Sequence, residues 1–251
     1  MKAQKQEQSE IIIEKLTLGT ARVWIKGTTP LIYNAMSAKT KQGLVTGEKR
    51  KTAAEKSASM RQYPIKEFRD SVYSRVDAGP TRLVFPSVAF KRGAVEVIRH
   101  IPNSGTSMVA MKQLMWVVGD TVDVYGIPLV HMAVVRQAGM TGAPQMRTRA
   151  ILPEWCCCVT VRFTKPMLTG ETVGRLLEAA GLLIGIGDFR QQKGAGNYGQ
   201  FALADEEECR DIIQRGGMAA QDKALAEPVA YDREAAQLLA WHEEERRRLG
   251  R

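Results

Sequence analysis

The sequence predicts a mixed α+β domain in which an antiparallel sheet carries helices on one face. Segments with period-two alternation of apolar and polar residues are interspersed with segments whose apolar residues recur every three or four positions. Apolar residues make up 44% of the 251 residues and charged residues 25%, as in ordinary globular domains. This balance excludes disorder throughout the chain, and a chain of this length needs neither disulfides nor metal to build a core.

The first elements are predicted to be a flexible arm, a strand and a charged insertion. Residues 1–15 are polar around a short apolar run and form the arm. Residues 21–27 alternate with period two, which puts Val23 and Ile25 on the core face. The opposite face of this strand carries Arg22, Trp24 and Lys26. Residues 36–69 hold nine basic and three acidic residues, so we expect an exposed basic insertion, partly helical and interrupted at Gly43 and Gly47.

The middle of the chain is predicted to contribute a helix and three strands. An amphipathic helix from about residue 87 to residue 100 has its apolar residues at helical spacing. They are Phe90, Ala94, Val97 and Ile98, followed by Ile101, with Lys91, Arg92 and Arg99 outside. Strands are expected at residues 112–118 and 127–135, with a Gly- and Pro-containing segment at 136–150. The run 155–163 is predicted as a strand because Trp155, Cys157, Val159, Val161 and Phe163 share one face and Arg162 lies on the other.

The last part of the domain is predicted as helix, glycine-rich loop and strand. Thr169 is a helix N-cap candidate and Gly181 a stop signal, with an apolar stripe between them at Val173, Leu176, Leu177 and Ala180. Five glycines and two basic residues follow within residues 185–199, before a final strand that begins at Phe201, which we expect to be a core residue. Residues 205–251 are expected to be a helical appendage with a hinge at Gly216–Gly217.

The charge of the chain is uneven and predicts a polyanionic partner. The net charge is +9, but residues 205–251 carry −4 and residues 1–204 carry +13. A basic body of this kind is typical of nucleic-acid binding. We therefore predict a nucleic-acid-binding domain at 16–204, with its basic insertion at 36–69, and no such role for the appendage.

Several chemistries are not indicated by the sequence. The loop at 194–199 formally matches GxGxxG, but it leads into a strand rather than a helix, which argues against a dinucleotide site. The histidines are scattered and no CxxC pair occurs, so neither a metal nor a cofactor is expected. No motif for hydrolysis or phosphoryl transfer is present, and no catalytic residue is predicted.

The glycine-rich loop suggests a contact to a phosphate backbone. Glycine lets backbone amides approach a ligand closely, and two cations lie among the glycines. The predicted nucleic-acid-binding residues comprise basic side chains of the first strand, the insertion, the helix and the arginine-rich segment. They also include residues of the glycine-rich loop and two aromatic rings for stacking. They are Arg22, Trp24, Lys26, Lys49, Arg50, Lys51, Lys91, Arg136, Arg147, Arg149, Arg162, Gly187, Arg190, Lys193, Gly194, Gly196 and Tyr198.

The predicted order of elements is compatible with a ferredoxin-like (RRM-like) β-α-β-β-α-β domain. The run Gly185-Ile-Gly187, a charged interval, then Gly194-Ala-Gly196 and Gly199-Gln-Phe201 resembles the C-terminal glycine-rich loop of the repeat-associated RNA-binding (RAMP) superfamily. Within it, residues 20–204 are most similar to backbone subunits of CRISPR effector complexes and their relatives in tailed phages. The resemblance implies an RRM-like core with a basic insertion and an extended hairpin that holds single-stranded RNA or DNA, often as a helical polymer.

The functional prediction is sequence-tolerant binding of single-stranded nucleic acid, without enzymatic activity, by a homo-oligomer or filament. Alternatives are a phage single-strand annealing or recombination accessory protein, a structural subunit of a nucleic-acid-containing particle, and a RAMP-type endoribonuclease, for which His100 is the candidate acid or base. No apolar run approaches the roughly 18–20 residues that span a bilayer, so no membrane partner is expected. Without a signal-peptide pattern, the predicted location is the cytoplasm, that of the host if the protein is phage-encoded.

Overall fold

The computed structural model describes residues 14–47, 62–102, 105–136, 144–192 and 196–250, apart from the side chains of Lys39 and Arg136. The described helices are α1 (Ala38–Thr46), α2 (Pro64–Asp70), α3 (Ser87–Glu96), the 3-10 turn η1 (Val97–His100), α4 (Met108–Leu114), α5 (Gly170–Leu183), α6 (Glu206–Arg215), α7 (Met218–Ala226) and α8 (Arg233–Arg248). The described strands are β1 (Thr17–Gly27), β2 (Leu31–Ile32), β3 (Val84–Pro86), β4 (Met115–Val117), β5 (Thr121–Tyr125), β6 (Leu129–Arg136), β7 (Pro144–Leu152), β8 (Cys156–Lys165) and β9 (Phe201–Ala204). The chain is thus a mixed α+β protein.

The central sheet is antiparallel and is built around β1 and β8, the two longest of the described strands. β1 pairs with β8 over ten residue pairs, and β9 pairs with the other edge of β1. The order is β3-β5-β8-β1-β9, with β4 also paired to β8. The predicted alternation is confirmed, because Ile25 and the apolar row of β8 are buried on one face. Helices α3 and α5 pack together, and their apolar residues belong to the same core as this face.

Most predicted helices form where the pattern requires, and Gly181 differs from its expected role as a helix stop. The Thr169 hydroxyl caps α5 by accepting from the amide of Thr172, and Phe90 and Ala94 of α3 are buried. Gly181 does not end α5 but lies inside it, since a Cβ there would overlap the carbonyl oxygen of Phe201 in β9. Gly181 therefore does not end the helix; it allows α5 to pack closely on the sheet.

The basic insertion differs from its prediction in extent. α1 runs through Gly43 and is capped at its C-terminus by Gly47, whose φ of +73° is readily adopted by glycine. α2 buries Pro64 and Phe68, so the C-terminal part of segment 36–69 is packed rather than exposed. Residues 48–61 lie outside the described residues.

Four of the described strands, β2, β3, β5 and β7, were not predicted, and one predicted strand was misplaced. Residues 112–114 belong to helix α4, because the Ser107 hydroxyl caps it and Met111 is buried, and only 115–117 form a strand. β5 occupies residues predicted to be a polar connection. The segment 136–150 was not predicted as regular structure, yet residues 144–152 form β7.

β7 forms a second, three-stranded sheet in the order β2-β7-β6. It pairs with β6 over eight residue pairs, which makes a long antiparallel hairpin. His131 of β6 is opposite Arg149 of β7, so the two side chains share a face. The hairpin brings Arg149 within 3.0 Å of Asp188, in the loop that follows α5.

The C-terminal helices confirm the helical prediction and the break at Gly216–Gly217, and they pack closely on the domain. Cys209 and Ile212 of α6 form a buried cluster with Cys156, and Ala235 of α8 belongs to the main core. Gln221 of α7 is fully buried. It accepts hydrogen bonds from the amides of Arg82 and Leu83 and donates to the carbonyls of Val124, Gly126 and Gly216. None of the helices in the described ranges is long and apolar enough to cross a bilayer.

Candidate nucleic-acid interface

The predicted binding residues separate into three regions of the structure. The first is the glycine-rich loop together with β7, the second is the outer face of the central sheet, and the third is the surface of α3. Five predicted residues lie outside the described residues, namely Lys49, Arg50, Lys51, Lys193 and Gly194. Arg136 ends β6, and Arg147 is exposed on β7.

The described glycines of the loop are required by the protein's own packing. A Cβ on Gly196 would overlap the carbonyl oxygen of Phe189, and a Cβ on Gly187 would lie 2.6 Å from the carbonyl oxygen of Ile32. Gly187 also has a φ of +84°. The space beside Gly196 is therefore filled by Phe189 and is not available to a phosphate, which corrects the reason we gave for that glycine.

The arginines near the loop have internal partners. Arg190 donates through Nη1 to the carbonyl of Gly187 at 3.0 Å and through Nε to Oε1 of Gln192 at 3.1 Å. Arg149 is buried, with Nη1 3.0 Å from Oδ2 of Asp188, and its guanidinium lies 5.1 Å from the centre of the Phe189 ring. These contacts hold the loop against β7.

An aromatic and histidine cluster closes the same region. The centre of the half-buried Tyr198 ring is 6.2 Å from that of the His131 ring, and the centre of the Tyr231 ring is 6.0 Å from it. Burial lowers the pKa of His131; the charge of Arg149 lowers it further and that of Asp232 opposes the shift. The Tyr198 ring is thus already in contact with another ring of the protein.

The outer face of the central sheet is divided into a covered and an open half. α6 covers one half, where Trp24 packs with Tyr125 at a ring distance of 6.3 Å and Lys26 donates to the carbonyl of Glu208 at 3.1 Å. Arg22 and Arg162 are exposed on the open half. Trp24 is therefore not a free stacking surface.

The surface of α3 forms a groove with α4. Its volume is about 570 Å³, and it is lined by Val88, Lys91, Arg92, Val95, Glu96, Arg99, Met108 and Lys112. Four of these residues are cations and one, Glu96, is an acid. The Arg92 and Glu96 side chains are 3.8 Å apart, whereas neither Lys91 nor Lys112 has a salt bridge to any described residue. Exposed Val88 and buried Val95 give the groove an apolar floor.

The groove continues into a smaller pocket at the glycine-rich loop. This pocket, of about 300 Å³, shares Val88, Arg92 and Glu96 with the groove and adds Arg190. The pKa of Arg190 is lowered chiefly by burial and further by the charge of Arg92, while Glu96 and Asp188 oppose the shift. Two guanidinium groups therefore lie near each other where the groove meets the loop.

Three of the groove's cations were missed as site residues, although the sequence contained the signal for two of them. Arg92 and Arg99 were predicted on the outer side of the helix, but only Lys91 was chosen. Lys112 was not identifiable because its segment was interpreted as a strand. Trp116 of β4 was missed for a related reason, since its position on the outer sheet face follows only from the pairing of β4 with β8.

These surfaces offer cationic groups to a polyanionic ligand. Guanidinium and ammonium groups over an apolar floor can neutralise phosphates and contact sugars or bases. Within the described ranges, no group of three or more His, Cys, Asp or Glu side chains could hold a metal. His100 is exposed at the end of η1.

Comparison with known proteins gives no family assignment: no family model matches the chain, and no curated protein sequence matches it.

Proposed function

We propose that the protein binds single-stranded nucleic acid without sequence preference, and that the groove between α3 and α4 holds the phosphate backbone. The observation that carries this proposal is the lining of the groove, where Lys91, Arg92, Arg99 and Lys112 face one acid. Affinity for a nucleic acid arises when cations of the protein neutralise its phosphates and the counterions condensed on those phosphates are released. The lysines meet this condition better than Arg149 or Arg190, which already have internal partners.

The order of the sheet supports a ferredoxin-like interpretation of the fold. If β4 and β5 together count as one strand, the order is last, first, third, second, with α3 after the first strand and α5 after the third. With the edge strand β3 set aside, a β-α-β-β-α-β domain has the same strand order. We propose on this basis, and on the glycine-rich loop, that the chain is related to the RAMP superfamily, with several copies on one strand.

The test is a fluorescence anisotropy titration of labelled ssRNA, ssDNA and duplex at several salt concentrations. The groove variant carries Lys91→Gln, Arg99→Gln and Lys112→Gln. Its matched control carries Lys223→Gln, Arg233→Gln and Arg247→Gln, which removes the same charge from exposed positions on the C-terminal helices. Light scattering on the same samples measures the mass of the complexes.

We expect the groove variant to bind single strands at least about tenfold more weakly near 0.1 M salt, and its log–log salt slope to fall by about 2, near 0.7 per lost phosphate contact. The control variant should bind like the wild type. Equal losses in both variants would mean that only net charge matters, and an absent or salt-independent affinity of the wild type would contradict the proposed function.

A further inference from the structure

The open half of the outer sheet face carries cations and a ring that the groove does not use. It is formed by β1, β8 and β4, whose sequences TLGTARVWIKG, CCCVTVRFTK and MWV contain no acidic residue. Arg22 and Arg162 are exposed there, and neither has a salt bridge to a described residue. A surface of this length without a carboxylate is compatible with a polyanion along its whole extent.

Strand register places these side chains next to one another. Arg162 of β8 is directly opposite Thr20 of β1 and, on its other side, opposite Trp116 of β4. Arg22 is opposite Thr160, one step along the same face. Neighbouring strands are about 4.8 Å apart, so the indole, both guanidinium groups and the two threonine hydroxyls lie within roughly 10 Å on one face.

These groups suit a single-stranded nucleic acid better than a duplex or a protein. An indole that is only partly covered can stack on a base, and guanidinium groups beside it can pair with the phosphates that flank that base. The threonine hydroxyls add hydrogen-bond partners for phosphate or sugar. The acidic start of α6, with Glu206 and Glu207, lies toward the covered half of the face and limits the basic area on that side.

This face and the α3–α4 groove lie on opposite sides of the molecule. The inner face of the sheet packs on α3, and the groove lies on the outer side of that helix. The two surfaces are separated by a sheet and a helix layer, on the order of 15 Å. A short oligonucleotide in the groove therefore leaves the sheet face free.

We propose that the open sheet face around Arg22, Trp116 and Arg162 is a second site for single-stranded nucleic acid, so that one molecule holds two strands at once. The inference rests on the proposed function, because it assigns the first strand to the groove. A protein with two such sites brings strands or distant segments of one strand together without base pairing, the geometry needed for strand annealing or compaction. The chemistry would be the same for RNA and DNA.

A capture experiment tests the second site. A non-complementary oligonucleotide of about ten nucleotides, short enough for one site, is immobilised and saturated with protein. After washing, a fluorescent copy of the same oligonucleotide is added, and the captured fluorescence per bound protein is measured. The variants are Arg22→Gln with Arg162→Gln, Trp116→Ala, and Trp116→Phe, which keeps an aromatic ring. The control is Lys223→Gln with Arg233→Gln.

We expect the wild type, the control and Trp116→Phe to capture the second strand. The double arginine variant and Trp116→Ala should bind the immobilised strand but capture about tenfold less of the second one, as expected for the loss of a stacked base or two phosphate contacts. The groove variant should also lose capture, since either site alone holds only one strand.

The outcomes separate this inference from the proposed function. If the wild type does not bind the immobilised strand, the function itself is wrong. If it binds the first strand and captures no second, only the second site is wrong. If the sheet variants keep full capture of the second strand, the face is not a second nucleic-acid site. If they lose both capture and self-association, the latter measured by light scattering, the face is instead a contact between copies of the chain.

Discussion

The glycine-rich loop and the α3–α4 groove meet at Arg92 and Arg190 and differ in what their cations contact. At the loop, Arg149 faces Asp188 and Arg190 donates to a carbonyl and to Gln192. In the groove, Lys91 and Lys112 have no salt bridge to any described residue. A basic side chain contributes to polyanion binding only to the extent that it is not already neutralised and desolvated within the fold. The comparison predicts that loop variants change stability and groove variants change affinity.

The largest effect should come from Gly196, the most tightly packed of the described loop glycines. Gly196→Ala adds a Cβ that would overlap the carbonyl oxygen of Phe189, so strands and loop must shift. Overpacking of this kind costs about 3 kcal/mol of the free energy of unfolding, or more when backbone has to move. Urea denaturation followed by circular dichroism measures the loss.

The matched control is Gly174→Ala on α5. A Cβ at Gly174 meets only the end of the Leu203 side chain, at 3.8 Å, and alanine is the better helix former. We expect this variant to be as stable as the wild type or up to about 1 kcal/mol more stable. If Gly196→Ala is fully stable yet binds nucleic acid poorly, Gly196 faces the ligand after all and the comparison fails at its main point.

The second prediction concerns two arginines of one strand. Arg149→Gln removes the partner of Asp188 and the cation above the Phe189 ring, at a site where the Arg149 side chain is 9% exposed. Because Asp188 keeps the Asn34 amide as a donor and is itself 26% exposed, we expect a loss of about 2 kcal/mol in the free energy of unfolding, below the full cost of breaking a buried pair.

Arg147→Gln, two residues away on the same face of β7 but at an exposed position, should change stability by less than about 0.5 kcal/mol. The measurement is the same urea series, with affinity for a single strand determined well below the transition. Equal stability of the two variants would show that the ion pair with Asp188 contributes little, and a selective loss of affinity in Arg149→Gln would assign Arg149 to binding.

The sequence predicted those parts of the fold whose signal is local. The apolar residues of β1, β8, α3 and α5 each recur with a sustained period. Thr169 caps the start of α5, and Gly47 caps the end of α1. β7 was missed because the segment 136–150 was interpreted from its glycines and its proline as a connection. Arg149 is nevertheless buried, since its charge is compensated by an acid that lies 39 residues later in the chain.

The site was harder to predict, because whether a side chain is free to bind a ligand depends on its contacts in the tertiary structure. Trp24 was selected correctly as an outer-face residue, but the helix that covers it begins at Glu206, far along the chain. The glycines of the loop signalled a close approach, yet only the fold shows that the approaching group at Gly196 is Phe189. Residue type and spacing indicate which side chains could bind a phosphate, whereas burial and internal partners decide which of them are free to do so.

The smallest effect should be a pH dependence confined to the loop region. His131 is buried between Tyr198 and Tyr231, and burial lowers its pKa below the usual value of 6.5. In the unfolded chain the imidazole takes up a proton as the pH falls through about 6.5, whereas in the folded protein it resists protonation until the lower pKa is reached. The unfolded state therefore binds more protons in this window, and stability must decrease as the pH falls below about 6.5.

His131→Gln should remove this component, so that the difference in urea midpoint between pH 7.5 and pH 5.5 is smaller in the variant than in the wild type. His100→Asn, at an exposed position, serves as the control for loss of a histidine. No histidine is among the residues that line the groove. Affinity for a single strand should therefore stay constant between pH 6 and 8 while the protein remains folded. If the affinity instead changes with pH as the stability does, and His131→Gln removes that change, the binding surface lies at the loop and not in the groove.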